Sequence, residues 1–216
     1  MKRFLLIPFF LLLFVAGLFA QLGIQAGVNM ANEIRSLSQE DITAGFKSEN
    51  LTGYHIGLVY QVPFSSNESG FSTEVGALLS QKGSFFRYYE DDLQETIVEA
   101  YNELNYIEVP VSIRYTLSFG ILGIYGYAGV YGGYLLDGKT VNEKEDEVLN
   151  MTFSRFMDKL DYGYTLGAGI ELLKKIQIGA SWAQGIKTNP ISVQRTSSTI
   201  SNSKNNTFSV NLTYLF

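Results

Sequence analysis

The sequence predicts an all-β fold, a single eight-stranded, antiparallel, up-and-down barrel that spans a membrane. Three observations predict it: an apolar run near the start, segments in which apolar and polar residues alternate, and connections that are alternately long and short. The alternation is clearest in the last ten residues. Their apolar face comprises Phe208, Val210, Leu212, Tyr214 and Phe216. A period of two indicates a strand with unlike faces.

The N-terminal segment has the features of a secretory signal. Lys2 and Arg3 precede an apolar run over residues 4–19, and Ala20 stands before Gln21. Basic, apolar and small residues in that order are typical of a cleaved signal, and the run is shorter than the ~20 residues that span a bilayer. We therefore expect residues 1–20 to be a signal peptide and residues 21–216 to form the barrel domain. A retained membrane anchor is the alternative.

Composition limits the possible partners and cofactors. Loss of the predicted signal would change the formal net charge from −5 to −7, and no basic stripe is present, so we expect no nucleic-acid partner. The chain has no cysteine, which excludes a lipoprotein anchor, disulfides and thiolate metal sites. The acidic clusters over residues 90–99 and 143–147 lack EF-hand spacing. We expect neither a metal nor another cofactor.

Alternation marks eight strands after the signal, each with its apolar face outward where the two faces differ. They are predicted at residues 22–30, 53–62, 71–82, 106–116, 121–136, 161–172, 176–183 and 207–216. Four long connections (31–52, 83–105, 137–160, 184–206) alternate with three short ones (63–70, 117–120, 173–175). A barrel with both termini in the periplasm has its short turns on that side and its long loops outside. The order of the connections matches that arrangement.

The fifth segment is apolar on both faces, so its phase is ambiguous. A transmembrane helix is the main alternative, because Phe119 to Leu136 is 18 residues without charge. The stretch contains six glycines and four tyrosines, and each glycine costs ~1 kcal/mol relative to alanine inside a helix. We therefore predict a strand. A second helix prediction concerns residues 148–160, where apolar residues are spaced for one face of a short amphipathic helix.

Pro110 lies within the fourth predicted strand and has no N–H to donate to a neighbouring strand. A β-bulge would absorb the missing hydrogen bond and could reverse the facing of residues on one side of it. On this reasoning Glu108 and Arg114 need not both point inward.

Lipid is the expected solvent of the apolar faces. A soluble barrel or sandwich is the alternative, but the opposite faces are too small and polar to form the core of a water-soluble protein. Hydrocarbon cannot satisfy free backbone groups, so a spanning sheet must close on itself. With an export signal, this predicts the outer membrane, with outer-membrane lipid and the barrel-assembly machinery as partners. The C-terminal strand that ends at Phe216 is the expected assembly strand.

Inward-facing charged residues form the candidate site. We expect a polar network of Glu74, Glu108, Arg114, Glu171 and His55 that plugs the lumen, because an eight-strand interior is only wide enough for side chains. Gated conduction or a proton pathway is the alternative. His55 is the only histidine, and no Ser-His-acid set can be assembled around it at a motif spacing. We expect no catalytic residues.

Five short stretches are similar to those of a known family. They are Gly23-Ile24-Gln25-Ala26-Gly27-Val28-Asn29, Tyr106-Ile107-Glu108-Val109-Pro110, Gly129-Val130-Tyr131-Gly132-Gly133-Tyr134, Asp161-Tyr162-Gly163 leading into Gly167-Ala168-Gly169, and Gly185-Ile186-Lys187-Thr188-Asn189. With these five stretches in this order, the chain resembles the PorT-type family of outer-membrane β-barrel proteins. The resemblance implies an outer-membrane barrel that tolerates Pro110 and has no assigned catalytic residues. Some members of that family serve a protein-secretion apparatus.

These observations together favour a structural or interaction protein that works through long extracellular loops. An accessory component of a secretion apparatus is one alternative. A lipid-modifying barrel enzyme that uses His55 is another.

Overall fold

The computed structural model describes residues 20–35, 47–64, 69–89, 96–142, 147–150, 156–187, 189–191 and 201–216. Residues 1–19 of the predicted signal peptide lie outside these ranges, as do parts of the long connections.

The described residues form eight long strands and two short ones. The long strands are β1 (Gln21–Arg35), β2 (Lys47–Pro63), β3 (Gly70–Tyr89), β4 (Thr96–Phe119), β5 (Leu122–Asn142), β7 (Leu160–Leu172), β8 (Ile176–Gly185) and β10 (Ser201–Leu215); the short ones are β6 (Glu147–Asn150) and β9 (Asn189–Ile191). One 3-10 turn covers Phe156–Lys159. Within the described part of the chain, no helix is long and apolar enough to cross a membrane.

The eight long strands form one closed antiparallel barrel. Each pairs with its neighbour in the order β1, β2, β3, β4, β5, β7, β8 and β10. The first and last strands complete the ring, with a register that runs from Gly23 opposite Leu215 to Arg35 opposite Ser203. The short strands extend the wall, β6 beside β5 and β9 beside β10. The predicted eight-stranded, up-and-down barrel is confirmed.

The apolar faces point outward along every long strand. Phe208, Val210, Leu212, Tyr214 and Phe216 are all exposed, while the polar residues between them are buried in the interior. Leu212 is 54% exposed and Asn211 only 8%. This is the reverse of a soluble barrel, in which apolar side chains would fill the interior, so the soluble alternative is excluded. Aromatic and aliphatic side chains of this kind form the lipid-facing surface of a membrane barrel.

Strand β5 has a defined phase that its composition leaves open. Tyr125 and Tyr131 are buried in the lumen, whereas Ile124 and Val130 are exposed on the outer face. The helix alternative is wrong, because residues 122–142 pair with β4 on one edge and residues 122–134 pair with β7 on the other. A free strand with two apolar faces has no preference for either side. The pairing with its neighbours fixes which tyrosines turn inward.

The prediction of a β-bulge at Pro110 is wrong. Alternation continues unbroken through this residue, so Glu108 and Arg114 are both buried on the inner face. Strands β3 and β4 keep one register on either side of it, from Val75 opposite Val111 to Leu78 opposite Glu108. Gly76 leaves room for the proline ring. A side chain at residue 76 would crowd it, since a Cβ there would lie only 3.0 Å from the Pro110 Cγ atom. The ladder loses pairing locally without inserting a residue.

The walls extend well beyond the length that a membrane requires. Strand β4 is 24 residues long, whereas a tilted strand spans the bilayer with about 9–11 residues. The extra length lies on the side of the long connections, where β2 to β5 continue past the last lipid-facing rows.

The amphipathic helix predicted over residues 148–160 is wrong in its described part, which contains β6, the 3-10 turn and the first residue of β7.

Candidate functional site

The lumen is filled by polar side chains in successive layers, beginning near the short turns. Gln177 donates hydrogen bonds to Glu171 at 2.7 Å and to the Gln61 side-chain oxygen at 3.2 Å. Gln61 in turn donates to Ser72 at 3.2 Å. Gln177 is completely buried. The predicted network residue Glu171 therefore accepts a hydrogen bond from the Gln177 amide.

An ion pair forms the next layer. The Arg114 Nη2 atom lies 2.6 Å from the Glu74 Oε2 atom, with the Arg114 side chain buried and the Glu74 side chain 13% exposed. The guanidinium group also stacks over the Tyr125 ring, 4.0 Å from its centroid. Arginine commonly combines an ion pair with stacking on an aromatic face in this way. Together these three side chains link β3, β4 and β5 on the inner face of the barrel.

His55 lies in the middle of the barrel and contacts amide and hydroxyl groups. Its Nδ1 atom is 2.8 Å from the Asn29 Oδ1 atom, which also accepts a hydrogen bond from Ser209 at 2.8 Å. Asn29 donates to Ser80 at 3.1 Å and to the Gln81 carbonyl at 2.9 Å. An oxygen acceptor beside Nδ1 assigns the ring proton to that nitrogen. A cavity of about 80 Å³ lies beside His55 and is lined by Tyr127, among other residues.

A second charged layer closes the cavity toward the long loops. Lys82 forms an ion pair with Glu108 and lies 3.8 Å from the Asp161 carboxylate. The lysine also faces the Tyr131 ring, 4.4 Å from its centroid, and Tyr131 donates to Asp161 at 3.3 Å. Asn205 donates to the same carboxylate at 2.8 Å. A buried lysine with two carboxylates and two further donors is a compact crosslink between strands.

Apolar clusters lie near both ends of the polar interior. Val59, Leu78 and Leu215 form one cluster toward the short turns. Leu104, Tyr106 and Leu135 form another toward the long loops. The cavity is lined by Glu74, Lys82 and Glu108 from the two ion pairs, and by Leu78 from the first apolar cluster. The centre of the lumen contains space of about 80 Å³ for water-sized molecules.

The predicted lumen residues share the inner face but do not form one network. Glu74 pairs with Arg114, and Glu108 pairs with Lys82. Glu171 binds Gln177, and His55 binds Asn29. Sequence reasoning missed Lys82 and Asp161 as members of the site. Alternation could have found both, since Lys82 is in phase with inward Ser80 and Asp161 with inward Gly163.

The site offers limited chemistry. Among the described residues, no group of three or more His, Asp or Glu side chains is arranged to hold a metal ion. His55 is 5% exposed and points into the lumen, so lipid on the outer face cannot reach its ring. Its closest described side-chain partners are amides. The side chains can crosslink the strands. The cavity is large enough to hold a few water molecules, which bind to buried polar groups in cavities of this size.

The outer face carries an aromatic belt near each end of the lipid-facing band. Toward the short turns, Phe71 packs against Tyr115 and Tyr214 against Phe216. Toward the long loops, Tyr164 packs edge-on against Trp182 with ring centroids 5.6 Å apart. Aromatic side chains concentrate at the two membrane–water interfaces. The two belts therefore mark how the barrel sits in the bilayer.

Three solved structures are similar to the chain. Ail of Yersinia pestis is 14% identical, with 91% of this chain and 99% of Ail covered and a TM-score of 0.43. OprG of Pseudomonas aeruginosa is 12% identical, with 91% and 96% covered and a TM-score of 0.45. The outer membrane enzyme PagL is 8% identical, with 89% and 98% covered and a TM-score of 0.46.

Comparison with curated protein sequences finds no match. A family model described as "Outer membrane protein beta-barrel domain" matches residues 18–189, which is most of the chain and includes strands β1 to β8. This match agrees with the closed barrel, its lipid-facing apolar surface and its polar interior. The chain belongs to the outer membrane protein beta-barrel domain family.

Proposed function

We propose that this chain is a non-catalytic, non-conducting barrel that acts through its extracellular loops and rim, in a structural or interaction role. The closed lumen carries this proposal. Two buried charged pairs, Arg114 with Glu74 and Lys82 with Glu108, occupy the interior beside the cavity. With the pathway filled, the parts of the protein that can meet other molecules are the surfaces outside the barrel interior.

Planar-bilayer recording tests the absence of conduction. The refolded full chain should give no discrete conductance steps across repeated insertions. A reproducible single-channel current from the unmodified chain would contradict the proposal. Gel mobility with and without boiling provides the folding control, because a folded barrel migrates differently from its heated form.

The extended rim supports an interaction role. Strands β3, β4 and β5 continue beyond the lipid-facing band, and there Lys139 forms an ion pair of 2.9 Å with Glu103. The hydrogen bond from Lys139 to Glu103 raises the pKa of the lysine above its ordinary value, so Lys139 stays positively charged across the physiological range. A rigid wall above the membrane is a suitable platform for protein contacts.

Site-specific crosslinking tests this role, since the chain has no native cysteine. Asp137→Cys places a thiol on the exposed rim, and Lys175→Cys places one in the turn at the opposite end. In intact cells a thiol crosslinker should capture a protein partner from position 137. Absence of any specific product at rim positions, or the same product from position 175, would oppose an extracellular interaction role.

A role as an accessory component of a secretion apparatus is the second candidate. The five stretches that resemble the PorT-type family support it, and each maps to a described part of the barrel wall or to the adjoining segment after β8. Co-purification of the full chain with other envelope proteins in mild detergent tests it. A chain that always purifies alone would remove this candidate.

The burial of His55 argues against a lipid-modifying enzyme. A base that acts on membrane lipid must face the lipid, whereas this ring lies within the lumen beside Asn29. Replacing His55 by alanine should leave the lipid A species of the membrane unchanged. An altered profile in that variant, with a normally folded barrel, would restore the enzyme alternative.

A further inference from the structure

The charges on the inner face of the barrel do not balance. Among the side chains that the structure describes, the charged groups facing the lumen are four carboxylates and two basic groups, namely Glu74, Glu108, Asp161, Glu171, Lys82 and Arg114. With His55 neutral, their formal charges sum to −2. Burying a carboxylate is costly unless a positive charge compensates it. The interior therefore favours the uptake of positive charge.

Half of this imbalance lies toward the short turns. The Arg114 guanidinium offsets the charge of Glu74, with the Nη2 and Oε2 atoms 2.6 Å apart. Glu171 accepts a hydrogen bond from the Gln177 amide at 2.7 Å, and an amide carries no net charge. Arg114, Glu74 and Glu171 form the lower charged group, whose formal charge is −1.

The other half lies toward the long loops. Lys82 forms an ion pair with Glu108 and lies 3.8 Å from the Asp161 carboxylate. Tyr131 and Asn205 both donate hydrogen bonds to that carboxylate, but neither side chain adds a positive charge. Lys82, Glu108 and Asp161 form the upper charged group, whose formal charge is also −1.

The lumen cavity extends between these two groups. Along β3 its lining residues run from Glu74 of the lower group to Lys82 of the upper group. Along β4 they run from Glu108 of the upper group to Ser112, the last inward-facing residue before Arg114. Excess negative charge on both sides therefore attracts a positive charge in the cavity. This attraction is stronger in a buried interior than in water, where the charges would be screened.

Thr207 contributes an oxygen atom to the wall of the cavity. Its side chain lines the cavity and is only 3% exposed. Its Oγ1 atom has no hydrogen-bond partner in the described part of the chain, although buried polar groups in proteins are almost always paired. A hydroxyl oxygen has two lone pairs that can face a cation. This observation points to a ligand independently of the charge balance.

The dimensions and walls of the cavity select the kind of cation. Its volume of about 80 Å³ accommodates one ion with a few water molecules. Among the described residues, no group of three or more His, Asp or Glu side chains is arranged to hold a metal ion, whereas divalent cations require several charged ligands. Neutral oxygen atoms can replace the hydration shell of potassium, and the Tyr127 ring in the lining can face a cation as well.

We propose that the lumen cavity binds one small monovalent cation such as potassium, with the Thr207 hydroxyl among its ligands and Glu74 and Glu108 as flanking negative charges. The ion offsets part of the negative charge that the closed barrel encloses and thereby stabilises the folded state. The proposal goes beyond the role of the loops and does not depend on it. A barrel that holds an ion in this way need not conduct it.

The dependence of stability on potassium concentration tests the proposal. Urea unfolding of the full chain would be measured in zwitterionic lipid vesicles at fixed pH, with potassium chloride replaced stepwise by N-methyl-D-glucamine chloride at constant ionic strength. The organic cation is too large for the cavity. Because potassium binds only the folded state, a tenfold rise at saturating concentrations should lower the equilibrium constant of unfolding about tenfold.

An equilibrium constant that does not vary with potassium would overturn the proposal. A proton on His55 is another source of positive charge inside the lumen. Stability would then depend on pH but not on potassium, so the titration at fixed pH separates the two cases. Discrete conductance in a planar bilayer would contradict the proposed function of the barrel and leave this dependence unaffected.

Two threonine variants locate the site. Thr207→Val removes the hydroxyl oxygen and keeps every charge, so the same rise in potassium should change the equilibrium constant of unfolding less than about twofold. Thr213→Val is the matched control, because Thr213 is an inward-facing, 4% exposed residue of the same strand and does not line the cavity. The control should keep the tenfold response. A full response in folded Thr207→Val, or an equal loss in Thr213→Val, would overturn the proposal.

A crystal of the unmodified chain provides a measurement that needs no variant, should Thr207→Val fail to fold. Thallium(I) replaces potassium in oxygen-lined sites and can be located by its anomalous scattering. A crystal soaked in thallium acetate should show an anomalous peak inside the lumen, within coordination distance of the Thr207 Oγ1 atom. Peaks confined to the outer surface, or no peak in the cavity, would overturn the proposal.

Discussion

Arg114 and Glu74 face each other diagonally across β3 and β4, with the guanidinium Nη2 atom 2.6 Å from the carboxylate. In register, Glu74 stands opposite Ser112 and Arg114 opposite Ser72. Two small hydroxyl residues thus separate the charged side chains and leave them room to meet. The stack of Arg114 on Tyr125 brings β5 into the same contact. One cross-strand relationship thereby connects three consecutive strands on the inner face.

Removing one partner of this pair should destabilise the barrel strongly. Glu74→Gln leaves a buried guanidinium without a counter-charge, and breaking a buried pair costs about 3–5 kcal/mol. Glu74→Gln/Arg114→Met should recover much of that loss, because neither charge then remains buried. Urea unfolding of the chain in lipid vesicles measures the free energy of unfolding for all four members of the cycle.

The rim pair of Glu103 and Lys139 serves as the control for that cycle. Its lysine side chain is 43% exposed, and exposed ion pairs contribute about 0–1 kcal/mol. Glu103→Gln should therefore change the free energy of unfolding by less than 1 kcal/mol. Comparable losses at both pairs would mean that burial of the lumen pair has little energetic effect.

Position along a strand should decide the cost of a charge on the outer face. Leu58 is 51% exposed near the middle of the lipid-facing part of β2, and an arginine near the midplane costs about 2–4 kcal/mol. Thr52 lies on the same face of the same strand near its outer end, where the cost falls to about 0–1 kcal/mol. Unfolding in vesicles should rank Leu58→Arg well below Thr52→Arg in stability. Equal stabilities would argue against lipid as the solvent of this face.

Gly76 should be intolerant of larger side chains because of Pro110. A Cβ at residue 76 would lie 3.0 Å from the proline Cγ atom, and overpacking typically costs about 1–3 kcal/mol. We expect Gly76→Val to lower the urea midpoint of unfolding. Pro110→Ala should relieve part of this loss in the double variant, because it removes the ring. If the two changes are simply additive, the proposed contact does not limit residue 76.

Substitutions in the turn between β7 and β8 should increase the stability of the barrel. Leu173 and Lys174 both have positive φ angles, 56° and 58°, and Lys175 donates to the Leu172 carbonyl at 3.1 Å. Positive φ at both central residues is the requirement of a type I′ turn, which favours Asn-Gly. The left-handed region costs roughly 1–2 kcal/mol per ordinary residue. Leu173→Asn/Lys174→Gly should therefore raise stability by about 1 kcal/mol or more.

The turn between β4 and β5 provides the opposite test. Gly120 has a φ angle of 71°, so Gly120→Ala introduces a side chain where the backbone disfavours one. It should lower the urea midpoint, by roughly 1–2 kcal/mol in free energy. If Gly120→Ala stabilised the barrel, or if Leu173→Asn/Lys174→Gly failed to do so, the φ angles would not determine the stability of these turns.

Alternation was a sufficient guide for seven of the eight strands because each has chemically unlike faces. Strand β5 was the exception, since Tyr125 and Ile124 are both compatible with either face. Its phase follows from pairing with β4 and β7, which a single segment does not contain. The error at Pro110 has a related origin. The sequence shows the missing donor, but not that Gly76 lies opposite and accommodates the ring.

The lumen shows the same division between pattern and geometry. Alternation assigned Glu74, Glu108 and Arg114 to the face that the structure places inside. It did not indicate that Lys82 rather than Arg114 pairs with Glu108, because the partners come from the stagger of adjacent strands. Local period carries no information about that stagger. The helix predicted before β7 failed for a similar reason, since residues 147–150 pair with β5 instead.

By itself the sequence determined the number of strands, which face of each strand contacts lipid, and that all the long loops lie at one end of the barrel. These properties follow from local patterns, because a strand's two faces alternate residue by residue whatever its neighbours are. Only the tertiary structure decided which inward charges meet and how far the walls rise beyond the membrane. Those properties depend on the shear with which the sheet closes, and closure is a property of all eight strands together.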